Sequence, residues 1–128
     1  MIDTMEKLNE LSGIILDSCI EVHRHTGPGL LESIYEKCLC KEFDLRGIDY
    51  KRQVVIPINY KGFSVDAYLK VDLIVVNEII IELKAVENLD RIHSAQLLTY
   101  LKLTNKKLGL LINFNVSKLI EGFKRVIN

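Results

Sequence analysis

The sequence has no tryptophan, two prolines, three cysteines and no net charge, its 17 basic side chains matched by 17 acidic ones. Each shortfall removes a class of protein. Cys19, Cys38 and Cys40 are an odd number without framework spacing, which argues against a disulfide scaffold. No paired Cys/His spacing accompanies them, so a structural zinc site is not expected, and the three read as reduced packing residues. A neutral chain lacks the basic footprint of a strong standalone nucleic-acid binder. No uncharged apolar stretch approaches the roughly 20 residues that span a bilayer, so no membrane contact is expected. The N-terminal "MIDTMEKLNE" is acidic and polar rather than signal-like, and the expectation is a cytoplasmic protein.

What is present is an ordinary globular balance: 128 residues, 48% hydrophobic and 27% charged. This fits a single domain over residues 1–128 with one core. Thr4 as a cap, then Leu8, Leu11, Ile15, Cys19 and Val22, predict a helix over 4–25. "TGPG" at 26–29 stops it. A second helix is expected from about Leu30 to Arg46, with Leu31, Ile34, Tyr35, Cys38 and Leu45 as its apolar stripe and Gly47 as its end. The pattern then turns to strands. "QVVIPINY" is β-branched, and Pro57 suggests an edge position. "KG" at 61–62 reads as a hairpin turn into "FSVDAYLKVDLIVV", and "NE" at 77–78 turns the chain into "IIIELKAV", an antiparallel meander. Asp90 can cap a helix over about 91–103. Its apolar residues (Ile92, Ala95, Leu97, Leu98, Leu101, Leu103) lie nearly all round, so burial on more than one side is expected. "KKLGLLINF" is a fourth strand, able to lie parallel to an earlier one after the helical crossover, and 117–127 are expected to close as a short amphipathic helix. The order α-α-β-β-β-α-β-α is an α/β fold, a four-stranded sheet with helices on its faces.

Into the most apolar strands come three charges. Glu82 and Lys84 are two apart and share a face, while Ile81 and Leu83 face the other way. Counting back from the turn at Asn77–Glu78 reaches Asp72 in the preceding strand, across the ladder from Glu82. Two such carboxylates repel unless a cation lies between them, and a hard divalent cation such as Mg²⁺ suits their oxygens. A cross-strand Asp/Lys/Glu ion-pair cluster would explain the same charges. Buried charge is rare unless paired or metal-bound, so spacing alone leaves both readings open.

"VDLIVV-x-E-IIIELKA" resembles the Asp…Glu-x-Lys core of the PD-(D/E)XK nuclease superfamily. "GLLESIY" at 29–35 resembles the signature of the small GxxExxY protein family, with Gly29, Glu32 and Tyr35 at the named positions. The resemblance runs through "AQLLTYLKLT" and "KLGLLINF" and so covers essentially the whole chain. It departs at Lys70, where arginine is frequent, and at Asn115 and Ser117, where glycine and proline are common. It implies a restriction-endonuclease-like αβββαβ core with a mixed four-stranded sheet. It also implies that Asp72 and Glu82 bind metal, helped by the backbone carbonyl of Leu83, that Lys84 is catalytic, and that Glu32 is the acid of the early helix. Helical geometry independently puts Glu32 at the border of the apolar stripe. Gln96 and Tyr100 resemble the Q-x-x-x-Y motif of exonuclease-like members, and four residues apart they share a helical face.

The function implied is Mg²⁺- or Mn²⁺-dependent hydrolysis of nucleic-acid phosphodiester bonds, with DNA favoured over RNA. A catalytically silent nuclease fold that binds nucleic acid or protein, and a structural ion-pair cluster in an α/β interaction module, remain as alternatives. The small size leaves room for a homo-oligomer or a protein partner. His23, His25 and His93 read as surface or packing residues, His93 being nearest the expected site. From Lys102 onward six basic residues (Lys102, Lys106, Lys107, Lys118, Lys124, Arg125) stand against one acid, Glu121. They form either a solvated helix face or a phosphate-binding patch at the cleft mouth.

Overall fold

The computed structural model describes residues 4–128, so residues 1–3 of the acidic N-terminal segment lie outside it. Two helices come first, α1 (Thr4–Thr26) and α2 (Glu32–Arg46). Three strands follow, β1 (Tyr50–Tyr60), β2 (Phe63–Val75) and β3 (Ile79–Lys84). Helix α3 (Arg91–Thr104) then crosses to β4 (Leu108–Asn113). A short 3-10 turn, Leu119–Gly122, leads into β5 (Phe123–Ile127). The sheet runs β1-β2-β3-β4-β5, parallel between β3 and β4 and antiparallel elsewhere. The Pro57 strand is an edge, as its missing donor requires. Lys61 and Gly62, both at positive φ, make the tight turn into β2.

Alternation along β3 sorts the core into two layers. Ile79, Ile81 and Leu83 meet Leu8, Ile15 and Cys19 of α1 and Tyr35, Leu39 and Phe43 of α2. Ile80 faces Leu97, Tyr100 and Leu101 of α3. Gly109 of β4 lets α3 approach, since a Cβ there would lie 2.8 Å from Leu97.

Three expectations need correction. The sheet has five strands, because the C-terminal segment read as a helix is instead the 3-10 turn and β5. β4 is buried along its whole length, and an open edge would leave its N–H and C=O groups unpaired, so pairing outweighs the weak helical pattern. On α2 the buried face is Tyr35, Glu36, Leu39, Cys40 and Phe43, while Leu31, Ile34 and Leu45 are exposed. The helix is turned by polar ties at Tyr35 and Glu36 described below. On α3 only Leu97, Tyr100 and Leu101 are buried, and Ile92 and Leu103 face outward, so one side packs rather than several. No described helix is long and apolar enough to cross a membrane.

Candidate functional site

β2 and β3 pair as Val75↔Ile79, Ile74↔Ile80 and Leu73↔Ile81. One step further Asp72 faces Glu82, and there side chains take over the ladder. The Asp72 N–H donates to Glu82 Oε1 at 3.1 Å, and the Leu83 N–H donates to Asp72 Oδ2 at 2.8 Å. Each carboxylate thus stands where a carbonyl of the opposite strand would be. The fork this opens holds both acids, and the charge of Asp72 acts on Glu82 across it.

Their electrostatics follow from that position. Burial, then the charge of Asp72, pushes Glu82 up to about 8. Asp72 is also raised, chiefly by burial, and the Leu83 N–H opposes the shift. Lys84 shares the face of Glu82 and its positive charge favours ionised Asp72, Glu82 and Glu32. Among the described residues it makes no ion pair with any of them. A structural ion-pair cluster would need that contact, so this alternative loses its support.

The side chain of Leu83 is fully buried on the α1/α2 side of the sheet. Its N–H points into the fork, and because a strand residue carries N–H and C=O on the same edge, its carbonyl faces the fork too. Among the described residues no three His, Cys, Asp or Glu form a metal cluster. The donor set is different: each carboxylate spends one oxygen on an amide, and its second oxygen and the Leu83 carbonyl are the oxygens this fork could offer an ion. Three hard oxygen donors suit a Mg²⁺-like ion that keeps several waters.

Glu32 reaches this fork because the loop before α2 is clamped. Gly29 turns the chain at φ 98°. The Tyr35 hydroxyl donates to the Gly27 carbonyl at 2.6 Å and accepts from the Leu30 N–H at 3.1 Å. Its ring stacks on Phe114 at 4.5 Å between centroids. The spacing of Gly29, Glu32 and Tyr35 therefore has a mechanical meaning: turn, presented acid, buried tie. Burial raises the Glu32 carboxyl, Asp72 adds to the shift and Lys84 opposes it, which puts all three in electrostatic reach.

On α3, Tyr100 is buried and its phenol is held protonated by burial and by the charges of Glu82 and Asp72. Gln96, one turn earlier, is exposed. His93 belongs to its own helix, accepting at Nδ1 from the Asp90 N–H at 3.1 Å. His23 bonds the Val116 carbonyl and His25 bonds Glu21. The basic tail is not one patch. Lys106 donates to the Asn77 carbonyl at 2.8 Å, and the Lys107 carbonyl takes the Asn128 N–H. Both lie at the far end of the strands, four to five residues or ~13–16 Å from the level of Glu82. Arg125 is tied to Asn9, while Lys124 lines a hollow beside Asn113 and Glu87.

Sequence reasoning missed a second tier of the site. Glu36, only 6% exposed, accepts from Arg52 Nη2 at 2.8 Å and from Gln53 Nε2 at 2.6 Å. Neighbouring strand residues ordinarily point to opposite faces. Here Gln53 has a left-handed φ of 49°, and both side chains reach one carboxylate. Such a φ in a non-glycine residue costs about 1–3 kcal/mol. The registers on either side put Gln53 opposite Asp72. Glu32, Glu36, Arg52, Gln53 and Asp72 line one cleft of about 590 Å³. Glu36 could have been found as the acid one helical turn after Glu32; Gln53 carries no local signal for its backbone.

Compared with known families, residues 9–126 match the model of the PD-(D/E)XK nuclease superfamily. No curated protein and no solved structure matches the chain. The match implies a nuclease-like function on nucleic acid, in a superfamily that generally uses divalent metal ions.

Proposed function

We infer that this chain, which belongs to the PD-(D/E)XK nuclease superfamily, hydrolyses phosphodiester bonds of nucleic acid, with DNA favoured over RNA. Within that superfamily we assign it to the GxxExxY proteins on Gly29, Glu32 and Tyr35. The observation that carries the reading is the strand fork, where half-buried Asp72 and buried Glu82 face each other and each accepts an amide N–H of the opposite strand with one oxygen.

Asp72, Glu82 and the Leu83 carbonyl would hold the ion, Mg²⁺ or Mn²⁺. When bound, such an ion supplies positive charge to the phosphate and acidifies a coordinated water. Lys84 presents its amine on the same face, where it orients the attacking water or meets the negative charge that develops on the phosphate. Glu32 orients water from the α2 wall. Tyr100 offers a protonated hydroxyl from α3, and Gln96 stands exposed on the approach one turn away. Glu36, with Arg52 and Gln53, holds the strand backbone at the level of Asp72. We place the activity in the cytoplasm, and a second copy or a protein partner would supply the recognition surface that so small a chain lacks.

Labelled DNA incubated with Mg²⁺ or Mn²⁺ tests this. Wild type is expected to cut, and Asp72→Asn, Glu82→Gln and Lys84→Ala to remain folded and lose roughly a thousandfold or more, several kcal/mol of transition-state stabilisation. In thermal melts only wild type should gain stability from the ion, and above about pH 8, where both carboxyls are ionised, metal-free Asp72→Asn should melt at or above wild type because a repulsion is removed. A large loss of stability in Asp72→Asn, with no metal response in wild type, would reject the reading.

A further inference from the structure

The outer half of the β1–β2 hairpin extends past the sheet. β3 pairs with β2 only from Leu73 to Val75, so residues from Pro57 to Tyr68 are paired with one another alone. A two-stranded ribbon with no third strand is marginal in water. It nevertheless carries Tyr60 at 63%, Phe63 at 75% and Tyr68 at 63% exposure, and every exposed Phe or Tyr ring among the described residues is on it. We propose that this arm binds a single-stranded stretch of nucleic acid, phosphates on its lysines and bases on its rings, and leads it into the cleft. The proposal rests on the nuclease reading above and names the form of its substrate.

Charge is the first support. The chain is neutral, yet between residues 51 and 70 Lys51, Arg52, Lys61 and Lys70 stand against a single acid, Asp66. Arg52 is committed to Glu36, and the three lysines are exposed. Aromatic rings interleaved with lysines are the surface that single strands use, since each base has a face to stack and each link a phosphate to neutralise. Lys61 already lies 5.5 Å from the centre of the Tyr60 ring.

Continuity with the site is the second support. Val54, Ile56, Leu69 and Val71 belong to the α3-side core. Register partners share a face, so Val55 with Lys70 and Pro57 with Tyr68 look the other way, to the side where α2 carries Glu32 and Glu36. The left-handed residue Gln53 lines the cleft at the point where the arm departs. A second copy docked through the same surface would bring both sets of these lysines into one interface, which like-charge repulsion disfavours.

Fluorescence anisotropy of a labelled single-stranded oligonucleotide and of its duplex, in metal-free buffer where nothing is cut, tests the arm. Wild type should hold the single strand more tightly. Phe63→Ala and Tyr68→Ala should each weaken it by between about fivefold and a hundredfold, and Lys70→Glu should weaken it and flatten its salt dependence. Arm variants that bind like wild type would overturn the proposal. So would arm variants whose only change, in sedimentation velocity, is a lost self-association. Arm-dependent binding by a wild type that never cuts with Mg²⁺ would support the arm and reject the nuclease reading alone. Cutting lost in Asp72→Asn but unchanged in the arm variants would do the reverse.

Discussion

The two halves of one hairpin live in different physical regimes. From Tyr50 to Arg52 and Leu73 to Val75, β1 and β2 are part of the sheet, and Leu73 and Val75 are fully buried. From Pro57 to Tyr68 the same two strands hold only each other, and nearly every residue is exposed. The boundary falls at Gln53 and Asp72, where the strand faces exchange and the candidate site lies. The contrast separates two demands on a nuclease-like site. Two carboxylates can be held against their repulsion only by a dense, hydrogen-bonded frame. A surface that meets a flexible polymer must instead leave its rings and cations in water.

The largest expected difference between the halves is in pH dependence, because the buried half alone stores unfavourable charge. The carboxyl of Glu82 is raised from an ordinary 4.5 to about 8, so between those values the folded protein holds a proton that the unfolded chain has released. Stability is therefore present at low pH and falls as pH rises through about 8. Melts without metal should show this, with an amplitude on the order of a few kcal/mol, and Glu82→Gln should flatten the profile. Ion binding has the opposite sign, since it needs both carboxylates ionised, so Mg²⁺ should protect most at high pH. A wild-type profile as flat as that of Glu82→Gln would remove the contrast.

Next in size is packing. A Cβ on Gly122 would lie 2.0 Å from the Asn113 carbonyl oxygen, a backbone atom that cannot yield without detaching β5 from β4. Gly122→Ala should cost about 2–3 kcal/mol in urea unfolding. The smallest effect belongs to the arm: Phe63→Ser should change global stability by under about 0.5 kcal/mol. Amides near Asn59 and Ser64 should exchange hydrogen far faster than those of β3 and β4. Protection at the arm equal to that of the core would mean that the two halves are not distinct.

Asp72 and Glu82 were legible as neighbours from the sequence, because a tight turn at Asn77 and a period of two leave one register that keeps Ile79, Ile81 and Leu83 inside. Pro57 announced its edge by lacking a donor, and Gly47, at φ 70°, the end of α2 by its conformation. These are local rules, carried by residues within a few positions of each other. What only the tertiary structure decided involves partners far apart in the chain. β5 exists because a buried β4 needs its second edge paired. α2 faces as it does because Tyr35 is tied to Phe114 and Glu36 to Arg52 and Gln53. Lys106 left the site because it caps a turn 29 positions away. The left-handed backbone of Gln53 is opposed by its own local preference, and only the surrounding contacts, assembled together, hold it there.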